Sequence, residues 1–231
     1  MEKINLSNVS LIIATFNEEE SLTFVLDELK NYQFKEIIFV DNNSIDRTQE
    51  IIKNYKLTYG DSIKFIIQKK PGWGNAVLEG FNFASGEYLT YMDADGSYNP
   101  ESILEMYELI NKYDFVCASR YKYNNKSEDD TFIRALGNKL FTLLTKKLLK
   151  LNLSDSLFFF PLIKTSDFYK INPKSTNFGI CIEIPYLLKK ENLTYTDFLS
   201  LERKRFGGIS KVNALTDGFK ILIEVAKIKF N

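Results

Sequence analysis

Histidine is absent from the 231-residue sequence. Its absence excludes Ser-His-Asp triads, Cys-His pairs and metal centres with imidazole ligands. Cysteine is almost absent as well, and Cys117 and Cys181 are too few for a disulfide framework or a zinc cluster. Any catalysis therefore has to depend on carboxylates, Lys, Arg, Tyr, Ser, backbone groups or a metal ion held by oxygen atoms.

Long apolar runs are also missing. The most apolar stretch, residues 157–163, has about a third of the roughly 20 residues that a membrane-spanning helix needs. The N-terminal segment is not typical of a signal peptide, because Asn5, Ser7 and Asn8 lie where an apolar region would be. We therefore expect a cytoplasmic protein, and peripheral contact with the cytoplasmic face of a membrane stays open.

Neither sign of charge dominates, since 30 basic and 30 acidic residues give a formal net charge of zero. This balance argues against a generally basic nucleic-acid-binding protein. The charges are nevertheless uneven: residues 1–100 carry nine basic and 15 acidic side chains, and the remaining residues carry 21 and 15. The basic excess is either a chance feature of the surface or a sign that the second half binds an anion, such as a phosphate or an anionic membrane face.

The first 120 residues contain a regular alternation of strand-like and helix-like segments. Short apolar runs predict strands, and apolar residues three and four positions apart predict helices. The predicted strands are residues 9–16, 36–40, 63–67, 88–92 and 115–119, and the predicted helices are 19–29, 46–55, 74–84 and 100–112. This alternation predicts an α/β fold with a mostly parallel central sheet flanked by helices. Ligands bind such sheets beyond the carboxyl ends of the strands, where the polar residues that follow the strands would gather.

The second half predicts two amphipathic helices, residues 134–151 and 217–230. Their apolar faces are Leu136, Leu140, Leu143 and Leu144 on the first, and Phe219, Leu222, Ile223 and Ala226 on the second. Because such faces more often cover a core than contact a membrane, we expect both to be buried.

Two carboxylates lie two positions apart in Tyr91-Met92-Asp93-Ala94-Asp95-Gly96-Ser97, where an apolar strand runs into a turn. Residues i and i+2 of a strand point the same way, and Mg²⁺ or Mn²⁺ binds such oxygen atoms together with diphosphate and water. The simpler alternative is that they cap the helix beginning near Pro100. The segment also fits haloacid-dehalogenase-type phosphatases, but their later acidic pair would have to be Asp129-Asp130 in a hydrophilic loop, so this interpretation is weak.

Five segments together resemble the family 2 glycosyltransferases of the GT-A fold, most closely the dolichol-phosphate mannose synthase-like branch. They are Ile13-Ala14-Thr15-Phe16-Asn17-Glu18, Val40-Asp41-Asn42-Asn43-Ser44-Ile45-Asp46-Arg47-Thr48, Lys70-Pro71-Gly72-Trp73-Gly74-Asn75-Ala76, Asp93-Ala94-Asp95-Gly96-Ser97 and Arg205-Phe206-Gly207-Gly208-Ile209-Ser210-Lys211. Their order and spacing over residues 9–211 are specific. The resemblance implies one Rossmann-like GT-A domain over residues 1–231. Its nucleotide-sugar and metal half would reach to about residue 120, and its acceptor half, with a C-terminal helix, would cover residues 121–231.

The resemblance further implies an inverting transferase that moves a hexose from a GDP- or UDP-sugar to an acceptor, with polyprenyl or dolichyl phosphate preferred and Mg²⁺ or Mn²⁺ as cofactor. It implies nucleotide-sugar contacts at Ala14, Thr15, Phe16, Glu18, Asp41, Asn43, Lys70, Gly74 and Asp93. It implies metal ligands at Asp93, Asp95 and Ser97, phosphate contacts at Arg120, Arg134, Arg205 and Lys211, and catalytic roles for Asp95, Asp155 and Arg120.

Departures from the family pattern leave the acceptor open. The segment Asp155-Ser156-Leu157-Phe158-Phe159-Phe160 occupies the place of the mannose synthases' Asp-x-x-Ser-Gly-Phe-Arg, and it keeps the Asp but not the Gly or the Arg. A lipid phosphate is already anionic and needs no strong base, whereas a sugar hydroxyl in glycan or cell-envelope synthesis would need Asp155 or Glu183 as the base. A nucleotidyltransferase and a catalytically silent glycosyltransferase-like subunit with a membrane partner are the remaining alternatives.

Overall fold

The computed structural model describes residues 3–208 and 214–230, and the side chains of residues 214–217 lie outside that description. The strands are β1 (Ile4–Thr15), β2 (Tyr32–Asp41), β3 (Ile63–Ile67), β4 (Tyr88–Asp93), β5 (Phe115–Ser119), β6 (Pro161–Lys164) and β7 (Tyr195–Leu199). The helices are α1 (Leu22–Leu29), α2 (Thr48–Tyr59), α3 (Trp73–Phe83), α4 (Ser102–Leu109), α5 (Phe132–Leu148), α6 (Thr165–Ile171), α7 (Ile180–Lys190) and α8 (Ala214–Phe230). Within the described ranges, no helix is both long and apolar enough to span a bilayer.

The strands form one sheet in the order β3-β2-β1-β4-β6-β5-β7. β1 pairs in parallel with β2 and β4, and β2 pairs in parallel with β3. β6 is antiparallel to both of its neighbours, β4 and β5, and β7 is parallel to β5. The predicted α/β fold with a mostly parallel, helix-flanked sheet is therefore confirmed, and β6 is the exception to the parallel arrangement.

The register of the sheet brings polar residues together at one edge. Ala14 of β1 lies opposite Asp93 of β4, and Thr15 of β1 lies opposite Asp41 of β2. The chain therefore leaves three neighbouring strands at the same level, and the segments after β1, β2 and β4 meet there.

The main hydrophobic core lies between the sheet and its helices. Phe39 and Tyr91 of the strands pack in this core with Phe81 of α3, and all three are fully buried. Burying a side chain of this size contributes about 1.5–3 kcal/mol to the stability of the folded protein. The core therefore stabilises the sheet whose carboxyl edge carries the polar residues.

The amphipathic helices pack differently from the prediction. α5 contacts α8, and α8 contacts α7, through a second cluster that includes Leu149, Ile182, Ile221 and Val225. Only Leu144 of the predicted apolar residues joins this cluster. Leu136, Leu140, Leu143, Phe219, Leu222, Ile223 and Ala226 are exposed, with Leu140 at 58% and Phe219 at 66%. The predicted burial is therefore wrong for these residues. Only the sides of α5 and α8 that face each other, and the side of α8 that faces α7, are covered.

Candidate active site

A cavity of about 510 Å³ opens at the carboxyl edge of the sheet, between the segments that follow the strands and the helices α5 and α8. The acidic residues that line it are Glu18, Asp93, Asp95, Asp129, Asp130 and Glu202, and the basic ones are Arg120, Arg134 and Arg205. Its large apolar residues are Phe16, Trp73, Ile133, Phe141, Leu157, Phe158, Phe159, Phe178 and Ile221. The cavity therefore has a charged part, made by the acidic and basic residues, and an apolar part, to which α5 and α8 contribute Ile133, Phe141 and Ile221.

The acidic pair lies at the end of β4. Asp93 is the last residue of the strand, and Asp95 follows in a turn in which Gly96 has a φ of +81°. Burial, together with the neighbouring Asp95 carboxylate, raises the pKa of Asp93 to about 7. The two carboxylates repel each other, and a bound cation would relieve this repulsion.

Each carboxylate has one oxygen held by a neighbouring donor. The Tyr91 hydroxyl donates to Asp93 Oδ1. The backbone N–H and the hydroxyl of Ser97 donate to Asp95 Oδ1 over 3.0 and 2.7 Å. Arg205 Nη2 lies 3.4 Å from Asp95 Oδ2. The Ser97 hydroxyl thus orients Asp95 in this structure, and its role as a metal ligand stays a prediction.

The acidic pair fits a hard divalent cation that takes most of its ligands from outside the protein. Nowhere in residues 3–208 and 214–230 do three or more carboxylate, thiol or imidazole groups come together as a metal centre. Mg²⁺ is commonly held by one or two carboxylates together with substrate phosphates and water. Asp93 and Asp95 supply that number of carboxylates.

Tyr91, which donates to Asp93, lies within a cluster of aromatic side chains. The indole N–H of Trp73 donates to the Tyr91 hydroxyl over 2.6 Å. The Trp73 ring stacks on Phe178 at 4.8 Å and meets Phe159 edge-on at 5.5 Å. Burial raises the pKa of the Tyr91 hydroxyl and the Asp93 carboxylate raises it further, so this hydroxyl remains protonated.

The residues predicted to contact the nucleotide fall into two groups. Ala14, Thr15, Phe16 and Glu18 line the cavity together with Asp93. Asp41 does not line it: its fully buried carboxylate accepts hydrogen bonds from Thr15, Ser44 and Gln49, and so holds the loop after β2. The Asn43 amide donates to the Gln68 carbonyl and also lies outside the lining.

Lys70 and Gly74 also lie outside the lining of the cavity. Lys70 is exposed, and its carbonyl accepts a hydrogen bond from Gln68. Gly74 packs against backbone instead of a ligand, since a Cβ atom there would lie 2.4 Å from the carbonyl carbon of Thr176. The structure therefore explains this glycine by the close approach of α3 to residues 176–177.

Two predicted phosphate contacts meet at one carboxylate. The Nε and Nη2 atoms of Arg205 donate to the Asp129 carboxylate over 3.3 and 2.9 Å. Arg134 lies 3.6 Å from the same carboxylate. Asp129 follows the polar segment of residues 121–128, so this loop brings a carboxylate to both arginines. Lys211, the remaining predicted contact of this kind, lies outside the described residues.

Arg120 forms a buried ion pair with Asp155. Its Nε and Nη2 atoms donate to Asp155 over 2.7 and 3.1 Å, and its Nη1 lies 3.7 Å from Glu202. The Asp155 side chain is 0% exposed and does not line the cavity. Glu183, the alternative base, accepts the backbone N–H groups of Lys174 and Ser175 away from the cavity. Neither candidate base faces the space in which an acceptor would lie, and Asp155 instead holds Arg120 in the cavity wall.

Several residues of the charged part could not be predicted from the sequence. Asp129 and Asp130 were visible as an acidic pair in a polar loop, but nothing in the sequence indicated that Asp129 would reach Arg205, 76 residues further along the chain. Glu202 carried no signal, because it stands among charged residues typical of a solvated segment.

Replacing Glu202 with glutamine should stabilise the protein at high pH. Burial raises the pKa of Glu202 to about 7, so ionising it opposes folding increasingly as the pH rises from about 4.5 to 7. Glutamine removes this penalty, and we expect a gain of up to roughly 3 kcal/mol at pH 8 that disappears near pH 4.5.

Urea unfolding at the two pH values measures this difference. Glu105→Gln on the exposed side of α4 is the matched control and should change neither value by more than about 0.5 kcal/mol. A gain for Glu202→Gln that is equal at both pH values would contradict the prediction.

The structure has the GT-A fold. The structure superposes on glucosyl-3-phosphoglycerate synthase from Mycobacterium tuberculosis with a TM-score of 0.73 at 14% identity, over 96% of this chain and 80% of that one. Mannosyl-3-phosphoglycerate synthase from Rubrobacter xylanophilus superposes with a TM-score of 0.72 at 18% identity, over 95% of this chain and 73% of that one. At these identities the likeness establishes the fold.

The chain belongs to glycosyl transferase family 2, whose family model matches residues 10–171. A dolichol-phosphate mannosyltransferase from Pyrococcus furiosus is 38% identical over 57% of this chain and 38% of its own length. An uncharacterised protein from Methanocaldococcus jannaschii is 27% identical over 60% of this chain and 57% of its own length. The matched regions thus span 38% and 57% of these two relatives.

Proposed function

We propose that this chain is an inverting hexosyltransferase that uses a GDP- or UDP-sugar, a divalent metal ion and a polyprenyl phosphate acceptor at the face of a membrane. The observation that carries the proposal is the two-part cavity, in which carboxylates and arginines meet an apolar wall, together with the exposed apolar faces of α5 and α8, which contribute part of that wall. A sugar diphosphate suits the first part, and an isoprenoid chain with a phosphate head suits the junction of the two.

The charged part explains why a cation would be needed for donor binding. Among the described residues that line the cavity, six are acidic and three are basic. A diphosphate would be repelled by this excess, so its binding depends on a cation at Asp93 and Asp95. When bound, such an ion stabilises the negative charge that develops on the leaving diphosphate.

Arg134 and Arg205 can exchange their carboxylate partner for a phosphate group. Arg205 and Arg134 both bind Asp129, and a phosphate group entering beside them would replace that carboxylate. Because guanidinium groups bind carboxylate and phosphate oxygens with the same geometry, the exchange keeps each arginine paired. Arg120, fixed by Asp155, would supply the third positive charge.

An acceptor that is already anionic agrees with the positions of the two carboxylates that the sequence suggested as bases. Asp155 is paired with Arg120, and Glu183 lies away from the cavity. The attacking oxygen of a lipid phosphate carries negative charge at neutral pH and has no proton to lose. Transfer to a sugar hydroxyl is therefore the less favoured alternative.

An anionic lipid surface is the occupant that best fits the outer faces of α5 and α8. Their exposed apolar residues include Phe132, Leu136, Leu140, Phe219 and Phe230. Exposed lysines accompany them: Lys139, Lys146 and Lys147 on α5, and Lys220, Lys227 and Lys229 on α8. Apolar residues that enter the lipid boundary, with lysines that contact head groups, are typical of helices that lie on membranes.

The proposed activity is tested with the purified chain, Mn²⁺ and a radiolabelled GDP- or UDP-hexose. The acceptors are a polyprenyl phosphate in vesicles, 3-phosphoglycerate and a short glycan. We expect Mn²⁺-dependent transfer to the lipid only. Transfer to either soluble acceptor would overturn the lipid assignment. Pyrophosphate release from a nucleoside triphosphate and a sugar phosphate, or metal-dependent nucleotide binding with no transfer to any acceptor, would overturn the transferase itself.

Replacing Leu140 with glutamate should weaken binding to vesicles of phosphatidylglycerol and phosphatidylcholine by at least about tenfold. The reason is that insertion of a leucine side chain contributes roughly 1.5–3 kcal/mol. Co-sedimentation measures the binding. Leu57→Glu on α2 is the matched control, since Leu57 is also exposed, at 84%, but lies on another helix. Equal losses in the two variants would contradict a lipid-binding face on α5.

A further inference from the structure

We propose that Tyr91 and Trp73 are positioning residues that make Asp93 a one-oxygen metal ligand and so select Mn²⁺ or Mg²⁺ over Ca²⁺. The inference rests on the proposed function only in taking Asp93 and Asp95 as the metal site. It concerns metal choice and requires no particular sugar or acceptor.

The direction of the hydrogen bonds in this chain of three residues is fixed by chemistry. An indole N–H can only donate, and the Trp73 N–H points to the Tyr91 oxygen over 2.6 Å. The Tyr91 proton is therefore directed to Asp93 Oδ1. Tyr91 is fully buried, so water does not compete for this bond.

The result is a carboxylate with two different oxygen atoms. Asp93 Oδ1 is engaged with Tyr91, and no donor in the described part of the chain binds Oδ2. Asp95 has the same arrangement, since Ser97 donates twice to its Oδ1 while Oδ2 faces Arg205. Asp93 can therefore offer a cation one oxygen that no hydrogen bond engages, and Asp95 can offer one oxygen that the cation would share with Arg205.

One oxygen from each carboxylate suits a small octahedral ion. Mg²⁺ takes six ligands at short distances and usually retains several waters, and Mn²⁺ also favours octahedral oxygen sites. Ca²⁺ takes six to eight oxygen atoms and often binds both oxygens of a carboxylate. A hydrogen bond that holds Oδ1 away from the metal therefore works against Ca²⁺.

The aromatic packing of Trp73 keeps its N–H in place. The indole ring is held between Phe178, which stacks on it at 4.8 Å, and Phe159, which meets it edge-on. Trp73 opens α3 in the glycine-rich segment that follows β3, so that segment reaches the metal site through Tyr91.

The test measures metal binding without sugar transfer. Free Mn²⁺ is followed by electron paramagnetic resonance in the presence of UDP or GDP, and Ca²⁺ is added as a competitor. For Tyr91→Phe we expect about tenfold weaker Mn²⁺ binding or more, in line with the loss of other hydrogen-bond partners of metal ligands. Ca²⁺ binding should change less, so that the preference for Mn²⁺ falls. An unchanged Mn²⁺/Ca²⁺ ratio would overturn the proposal even if the variant were less stable.

Two further variants separate positioning from packing. Tyr98→Phe is the matched control, because Tyr98 is also buried beside the cavity but donates to the Phe159 carbonyl instead of Asp93. It should leave the ratio unchanged. Trp73→Phe should lower the ratio alone and have no further effect when combined with Tyr91→Phe, since the indole acts through the Tyr91 hydroxyl. Additive effects would overturn the role of Trp73. Failure of sugar transfer with normal metal selectivity would overturn the proposed function and leave this inference standing.

Discussion

Asp95→Asn is expected to abolish metal-dependent binding of the nucleoside diphosphate and to reduce hexose transfer by about 100- to 1,000-fold. The substitution removes one of the two carboxylates that the cavity offers to a cation, and the diphosphate then meets the remaining acidic residues without compensation. Thermal unfolding with UDP or GDP, with and without Mn²⁺, measures the binding. At a hundred times its dissociation constant, a ligand stabilises the native protein by about 2.7 kcal/mol.

The same substitution is expected to leave the ligand-free protein at least as stable as wild type. Burial and the Asp95 carboxylate both raise the pKa of Asp93, so neutralising residue 95 relieves a repulsion in the folded state. Lost ligand binding without lost stability separates a ligand-binding residue from a structural one. A Mn²⁺-dependent stabilisation of the same size in both proteins would show that the metal binds elsewhere.

Asp155→Ala is expected to destabilise the fold by about 3–5 kcal/mol, because it leaves the Arg120 guanidinium buried without its partner. The two side chains are 9% and 0% exposed, and Arg120 also packs against the rings of Tyr121 and Phe158. Glu202, at 3.7 Å, replaces only part of the lost interaction. Urea unfolding at pH 7 measures the change.

The control for this prediction is an exposed ion pair. Lys170 and Glu191 lie 3.3 Å apart with side chains 50% and 46% exposed, so Glu191→Ala should cost no more than about 1 kcal/mol. If Asp155→Ala cost as little, the ion pair could not be what fixes Arg120. If the folded variant lost transfer to a sugar hydroxyl while keeping its stability, Asp155 would be a base.

The parallel half of the fold could be predicted because its elements are local and periodic. β3 and β5 have the predicted bounds, and the predicted helices that follow the first four strands are all present. β6 could not be predicted in the same way. It is a four-residue antiparallel strand that begins at Pro161 inside an apolar run, and its place between β4 and β5 depends on partners far away in sequence. α7 contains Pro185, which obscures a helical pattern.

In the candidate site, too, the residues placed by local structure could be predicted and those placed by distant partners could not. Asp93 and Asp95 could be predicted because a strand and a turn place both carboxylates locally. The pairing of Asp129 with Arg205 and of Asp155 with Arg120 joins residues 76 and 35 positions apart, and charge patterns do not encode such distances. The exposure of the apolar faces of α5 and α8 could not be predicted either, because amphipathic spacing shows that a face is apolar without showing what covers it.

Trp73 is the one tryptophan in the chain, and it forms part of the cavity wall. Tryptophan fluorescence from this protein therefore comes from a single indole ring, held against Phe178 and hydrogen-bonded to Tyr91. A ligand that changes the polarity beside that ring should shift its emission without any attached dye. The protein thus carries its own optical probe at the cavity, and unfolding elsewhere that leaves the cavity intact would be nearly invisible to it.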